Sequence, residues 1–504
     1  MLVARVSTVQ PQVLSGTLVT IEVDLSRGLH AFSIVGLAGK AIDEAKDRVS
    51  AAIKHTGYKS PRSSSQKVTI SLSPADLKKE GPLFDLPMAV AYLIASEEIT
   101  VSNQQRIYIG ELALDGSLRP VRGVLSVVET ARKAGFQEVI VPSANATEAA
   151  LVEGINIYPA DNLTHVLAHI DEQHPEPRSL PCQPATTIDD AWVQTSVRLE
   201  DIKGQAQAKR ALAIAAAGRH NIMLVGPPGT GKTMLARALQ SILPPLTREQ
   251  ALSVTAIHSV AGVLHTLCAT PPFRAPHHTA SHTALVGGGT NPKPGEVTLA
   301  HHGVLFMDEF PEFDRRSLDA LRQPLEDKVV SIARVQHSAT FPADFLLVAA
   351  LNPYRGSEDG SSDYLNAIYD NYGTKISGPI LDRIDLWVEV PHIDYDTLQA
   401  IPKTSGETET VRDMIKHARV RMEQRLPKHP TPVNSQLSGR DIDERIPLSK
   451  DVKELLKLSS QKLNLSPRSY HRLVKVARTI ADLSDADEIT TEHVLEALQF
   501  RVKV

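Results

Sequence analysis

The clearest chemistry in this 504-residue chain sits in eight consecutive residues, Gly226-Pro227-Pro228-Gly229-Thr230-Gly231-Lys232-Thr233. Glycines at these places let backbone N–H groups curl around a phosphate at the positive end of a helix. There Lys232 reaches the β and γ phosphates and Thr233 holds Mg²⁺. A P-loop of this kind needs a second carboxylate on a neighbouring strand, and Val304-Leu305-Phe306-Met307-Asp308-Glu309 supplies an apolar strand ending in two acids. Asp308 is suited to bind the metal through water, and Glu309 to orient and activate the attacking water. The apolar run 345–351 ends in Asn352, placed to contact the γ-phosphate or the lytic water. Two arginines can stabilise charge that develops on phosphoryl transfer: Arg383, just before an apolar strand, and Arg468, two residues into a helix opened by Ser466-Pro467.

Those side chains need elements to hold them. Residues 221–225 form a short apolar strand running into the Gly/Pro turn, and 232–242 has helical periodicity, which is the setting a P-loop requires. Further buried strands are expected at 303–307, 345–351 and 386–390, separated by helical segments, so a parallel sheet covered on both faces is expected. From Val411 the pattern is helical, with one helix from Ser466-Pro467 to Leu483 and a last one opened by Thr490 and Glu492. Before the P-loop region, Pro175, Pro177, Pro181 and Pro184 mark a linker. Ahead of it, strands at 18–23, 68–72, 107–109 and 138–141 and helices at 39–55, 86–96 and 124–134 make a mixed α/β domain.

Length favours three domains over one core. The expected boundaries are 1–170, a Pro-rich linker 171–195, a core 196–393, a linker 394–410 and a helical lid 411–504. With 42% hydrophobic and 22% charged residues the composition is that of an ordinary folded protein. Apolar runs such as 86–95 fall far short of the roughly 18 residues that cross a bilayer, and 1–10 has no signal-type apolar stretch, so a cytoplasmic location is expected. Cys182 and Cys268 cannot build a disulfide framework or a four-thiolate zinc site. The net charge of −4 gives no hint of nucleic acid, yet residues 411–504 hold 18 Lys and Arg against 13 Asp and Glu, leaving +5 there and −9 elsewhere.

Between Lys232 and Asp308, residues 255–300 are rich in Gly, Pro and His and read as too irregular for core. His277, His278, His282, His301 and His302 lack acidic or cysteine partners at ligand spacing, so loop hydrogen bonding or substrate contact is expected of them rather than metal binding.

The chain resembles AAA+ ATPases and, within them, the magnesium-chelatase-like family of competence protein ComM and YifB. The likeness covers almost the whole chain. It rests on Phe273-Arg274-Ala275-Pro276-His277-His278-Thr279-Ala280-Ser281, Gly287-Gly288-Gly289, Pro294-Gly295-Glu296, His301-His302-Gly303, Leu321-Arg322-Gln323-Pro324-Leu325-Glu326 and Leu381-Asp382-Arg383. It implies an AAA+ P-loop parallel sheet with a helical lid, with Asn352 as sensor 1, Arg383 as a finger donated to a neighbouring subunit and Arg468 as sensor 2. A finger acting in trans implies a ring, expected to be a homohexamer. The segments 255–300 and 329–341 resemble insertions that line the ring channel in related motors.

The N-terminal region resembles the Lon-protease-like fold (ribosomal-S5-domain-2-like), through Gly110-Glu111-Leu112-Ala113-Leu114-Asp115-Gly116-Ser117-Leu118-Arg119-Pro120-Val121. Aligned on these phrases, Leu83 stands where the catalytic serine belongs and Leu125 where the lysine belongs. Leucine can neither attack a carbonyl nor move a proton, so a binding or oligomer-organising role is expected. Family members carry a four-cysteine cluster after the Asn-Pro of sensor 1. Here Asn352-Pro353 runs into Tyr354-Arg355-Gly356-Ser357-Glu358-Asp359-Gly360-Ser361, so no zinc is expected.

The function implied is an ATP- and Mg²⁺-dependent ring motor on single-stranded and branched DNA, a branch-migration helicase supporting recombination in natural transformation, with no membrane partner. Two alternatives stand beside it: a protein-remodelling AAA+ ATPase and a magnesium-chelatase motor subunit.

Overall fold

The computed structural model describes residues 3–12, 15–29, 31–63, 66–187, 192–263, 268–289, 293–333, 338–352, 376–394, 406–427, 432–463 and 465–501. The chain separates into two compact units, 1–189 with 248–268, and 190–247 with 269–504.

The first unit is built on a seven-stranded sheet. Its strands are β1 (Ala4–Pro11), β2 (Gly16–Arg27), β3 (Ala31–Val35), β4 (Gln66–Ser73), β5 (Arg106–Tyr108), β6 (Glu138–Pro142) and β7 (Asn156–Ala160), in the order β3-β4-β2-β1-β5-β6-β7. Period-two burial shapes the long strands: Val19, Ile21 and Val23 of β2 and Val68, Ile70 and Leu72 of β4 have no exposed surface. Their core is closed by α1 (Lys40–His55), α2 (Asp85–Ala95) and α3 (Val124–Lys133), with α4 (Leu163–Ile170) capped by the Asn162 side chain. The sequence pattern anticipates β2, β4, β5, β6 and α1 to α3. It does not separate out β1, β3, β7 or α4. The Pro-rich stretch lies along this unit, where Arg178 donates to the Ala168 carbonyl and Gln183 to the Ile157 carbonyl, each at 2.8 Å.

The second unit opens with the alanine-rich α5 (Ala206–Gly218) and then β8 (Ile222–Val225), the P-loop turn and α6 (Lys232–Ile242). The next helix, α7 (Arg248–Ala261), belongs to the first unit, and the chain returns at Ala269. The sheet is completed by β9 (Phe273–Arg274), β10 (Val304–Met307), β11 (Leu346–Leu351) and β12 (Leu386–Glu389), all parallel, in the order β9-β10-β11-β8-β12. Alternate residues feed two cores. Ile222, Leu224, Val304 and Phe306 join one, and Met223, Val225, Leu305 and Met307 the other, as a sheet covered on both faces requires. A short helix α8 (Arg322–Asp327) leads into the antiparallel hairpin Val329–Ala333 and Ser338–Pro342.

The helices α9 (Glu407–Arg425), α10 (Pro467–Leu483) and α11 (Thr491–Gln499) complete the unit. Ser466 and Thr490 cap the last two by accepting from Ser469 and His493 N–H, as their sequence positions predict. Ile415, Met422, Leu473 and Ile480 share one core with β8, so the helical region forms part of the same compact unit as the sheet.

Two expectations need correction. The segment 255–300 is not too irregular for core. Its first residues complete α7, Leu285, Val297 and Ala300 are fully buried, and Arg274 makes a bidentate pair with Glu296 at 2.6 and 2.7 Å. Residues 248–268, read from sequence as part of the ATPase core, cluster with the first unit because α7 packs there. Ala256 is in that unit's core, Leu252 packs against it, and Arg248 donates to the Leu151 carbonyl at 2.9 Å.

Candidate functional site

The turn after β8 can form because three glycines occupy positions no other residue suits. Gly226 packs so closely on the end of β12 that a Cβ would lie 2.2 Å from the Val390 carbonyl oxygen. Gly229 and Gly231 have φ of 81° and 92°, the left-handed region, and a Cβ on either would meet nothing within 4 Å. The loop therefore faces open space with its backbone curled. Lys232 is the first residue of α6, and its Nζ donates to the carbonyls of Gly226 at 2.7 Å and Pro227 at 2.8 Å. Burial pulls its pKa below the usual lysine value, while Asp308 opposes that shift. Thr230 braces the loop by donating to the Pro227 carbonyl at 3.0 Å.

The sheet order puts β11 between β10 and β8, so Asn352, one residue past Leu351, leaves the sheet between the P-loop and the acidic pair. Thr233 Oγ1 donates to Asp308 Oδ2 at 3.1 Å. A hydroxyl and a carboxylate so close fit the oxygen ligands that Mg²⁺ selects. Glu309 has a φ of 50°, a left-handed conformation strained for a non-glycine residue. Its own N–H donates to Asp308 Oδ1 at 2.9 Å. Its Oε2 lies 3.0 Å from His278 Nδ1. Thr233, Arg237, His277, His278, Asp308 and Glu309 line one cleft of about 300 Å³. The cleft therefore joins Thr233 of the loop to Asp308 and Glu309 at the end of β10.

Arg383 and Arg468 lie elsewhere, though near one another. Arg383 Nη2 pairs with Glu326 Oε2 at 2.7 Å, and Arg468 Nη2 lies 3.8 Å from Glu326 Oε1. Arg383 precedes β12, and its carbonyl accepts from Asn221 just before β8, so it sits at the amino end of strands whose carboxyl ends hold the P-loop. Four residues at about 3.3 Å each put roughly 13 Å of sheet between the two ends. Neither Glu326 nor Asn221 has a role legible from sequence alone. Asn221 ties three strands together, accepting from Leu347 N–H at 2.9 Å as well as donating to Arg383, and its only sequence signal is a polar residue opening an apolar strand.

The histidines divide. His278 touches the acidic pair, but His301 is buried and His302 partly buried, their rings tilted 3.8 Å apart between centroids and beside Asp344. Of the two roles expected of them, loop hydrogen bonding holds for His301, whose Nδ1 accepts from Asp344 N–H at 3.0 Å, and burial lowers the pKa of both, His302 to about 4. Asp344 is opposed by burial but held well below the carboxylate range by Arg219 and Lys328, at 3.5 and 3.4 Å. Among the described residues no group of three or more His, Cys, Asp or Glu is placed to hold a metal, and no helix is long and apolar enough to cross a membrane. Residues 354–361 lie outside the described residues.

In the first unit Leu83 and Leu125 are both buried. Leu125 lines a cavity of about 240 Å³ with Leu252 and Ala256 of α7. The charges nearby are satisfied structurally. Asp85 makes a bidentate pair with Arg48 at 2.7 and 3.0 Å, and burial pushes its carboxyl up to about 6. Lys79, fully buried, donates to the carbonyls of Gly36, Leu72 and Pro74.

A parallel sheet with a phosphate loop after one strand, an Asp-Glu pair after another and a polar residue leaving the strand between them defines a P-loop protein of the AAA+ class. The family described as magnesium chelatase, subunit ChlI, matches residues 198–398, its C-terminal part matches 405–501, and a further ChlI family matches 21–145. Uncharacterized protein YifB of Salmonella typhimurium is 43% identical over 96% of this chain and 94% of its own. Competence protein ComM of Haemophilus influenzae is 42% identical over 97% and 95%. An uncharacterized protein of Mycobacterium tuberculosis is 38% identical over 99% of both chains. The chain belongs to the magnesium-chelatase-like AAA+ family that includes ComM and YifB.

Proposed function

We propose that the protein is an ATP-hydrolysing ring motor that acts on single-stranded and branched DNA, as a branch-migration helicase serving recombination of incoming DNA. The observation that carries the ATPase is the cleft lined by Thr233, Asp308 and Glu309, with Lys232 one residue ahead of Thr233 at the start of α6. On nucleotide entry Lys232 exchanges its loop carbonyls for the β and γ phosphates, which are the stronger, charged acceptors. Thr233 and Asp308 would hold Mg²⁺, which would supply neutralising charge to the phosphates. Glu309 turns from His278 to take a proton from the attacking water, and Asn352 orients that water.

Assembly is supported by the distance of Arg383 and Arg468 from their own P-loop. An arginine at the far end of the sheet can stabilise transferring phosphate only for a neighbour. The DNA substrate is supported by the basic C-terminal region, +5 over residues 411–504, and by likeness to a protein named for competence.

ATP turnover measured with single-stranded, duplex and forked DNA across salt concentration tests this reading. Forked or single-stranded DNA is expected to raise the rate at low salt. Stimulation by unfolded polypeptide and by no DNA would replace it with protein remodelling.

A further inference from the structure

The ATPase unit has a second cleft, of about 390 Å³, at the amino end of the sheet. Five of its lining residues are cations, Arg219, Lys328, Arg383, Arg472 and Lys475, against the carboxylates Glu326 and Asp385. Most of this charge is matched locally. Arg219 and Lys328 face Asp344, Arg383 holds Glu326, and Asp385 lies 3.2 Å from His220.

Arg472 and Lys475 stand apart. Arg472 is 12% exposed, lies 3.8 Å from Asp382, and its Nη2 makes no hydrogen bond. Lys475 donates to the Ser435 carbonyl at 3.0 Å. Burial pulls both below their usual pKa, Asp385 opposes the shift in each and Asp382 in Arg472, and Arg383 and Arg468 add to it in Arg472 as Arg472 does in Lys475. Several cations lining one cleft, with an unbonded guanidinium N–H among them, are arranged for an oxyanion. Arg468, Arg472 and Lys475 recur at i, i+4 and i+7, so one face of α10 presents all three.

We propose that Arg472 and Lys475, with Arg383, form a phosphate-binding site for the terminal phosphate of a nucleotide held in the P-loop of a second copy of this chain. The chain's own nucleotide is excluded as occupant because the P-loop opens at the other end of β8 and β12. Arg383 alone would give one contact. The α10 pair converts it into a multidentate receptor, and Glu326, already shared by Arg383 and Arg468, gives up its partners when phosphate arrives. This site rests on the ring-ATPase reading above.

The test uses full-length Arg472→Gln and Lys475→Gln proteins, each first shown to melt as a folded chain. If Arg472→Gln does not fold, Lys475→Gln carries the same expectation. Affinity for a fluorescent ATP analogue should stay within about twofold of the unsubstituted chain, because the P-loop is intact. Steady-state ATP hydrolysis should fall on the order of tenfold or more. Mixing either variant with Lys232→Ala subunits should restore part of the rate, since some interfaces then join an intact P-loop to an intact cation cluster. Full hydrolysis by both variants, or no rescue at any mixing ratio, would overturn the site. Normal hydrolysis with weaker DNA binding and a shallower salt dependence would also overturn it, assigning the cleft to DNA phosphate. If the unsubstituted chain hydrolyses no ATP at any protein concentration, the ring reading fails and the site with it, whereas a failure confined to the variants removes the site alone.

Discussion

Two helices, one in each unit, begin in nearly the same way. In the ATPase unit Gly231, at φ 92°, opens α6, and Lys232 and Thr233 follow. In the first unit Gly123, at φ 75°, opens α3, and Val124 and Leu125 follow. The backbone is similar, so the difference lies in what the first turn carries and what covers it. Around α6 the turn faces open space and two acids. Around α3, Ser259 of α7 accepts from Gly123 N–H at 3.0 Å, and Leu252 and Ala256 lie over Leu125. A helix start is a ready anion site only while its N–H groups stay free, and here one unit keeps them open while the other seals them with a helix drawn from the ATPase sequence.

Removing the cation at α6 should have the largest effect. Lys232→Ala is expected to abolish nucleotide binding, measured by equilibrium binding of a fluorescent ATP analogue, and to leave the first unit's melting unchanged. Binding at normal affinity would show that the loop backbone alone suffices. Glu309→Gln should come next, slowing hydrolysis by roughly 10² to 10⁴ while ATP still binds and assemblies persist. A normal turnover rate would show that another group takes the proton.

Converting the sealed turn toward the open one should cost stability and yield no chemistry. Leu125→Lys, combined with Leu83→Ser, is expected to destabilise the first unit by about 3 kcal/mol, because both leucines are buried and polar side chains there lose apolar packing and are desolvated. Chemical denaturation would read the loss, and a peptide-cleavage assay should stay blank while α7 covers the site. Appearance of cleavage would show that α7 leaves this face.

The two units should also respond oppositely to acid. Asp85, raised to about 6 when folded, binds its proton more readily in the native state. Its contribution to the first unit therefore grows as pH falls from about 6 to about 4, by up to about 2 kcal/mol. Asp344 and Asp385 are held below their usual values, so the stability they give the ATPase unit is present above about pH 4 and is lost as pH falls through their folded values. Unfolding followed separately in each unit between pH 3 and 7 checks the opposed slopes. Parallel slopes would show that Arg48 keeps Asp85 ionised.

Much of the candidate cleft was legible in the sequence because its parts are contiguous. A glycine-rich turn, an apolar strand ending in Asp-Glu and a strand ending in Asn each announce themselves within ten residues, and Ser466-Pro467 marks its own helix. The part given to Leu83 and Leu125 came only through resemblance to the Lon-like fold, because nothing in the residues around them marks a nucleophile's place. The histidines were not legible: His278 and His301 look alike in sequence, yet one touches Glu309 and the other is buried against Asp344, 43 residues away.

The sequence by itself determined the P-loop, its acidic partners and the helix caps, because those are short-range patterns fixed by φ, hydrogen-bonding capacity and hydrophobic period. Only the tertiary structure decided that α7 belongs to the first unit, that Glu326 gathers Arg383 and Arg468, and that Arg472 and Lys475 face the same cleft. Those outcomes depend on packing between segments about 60 to 150 residues apart. At such separations the partner of a side chain is set by which apolar faces find each other, and the local pattern of residues does not encode that choice.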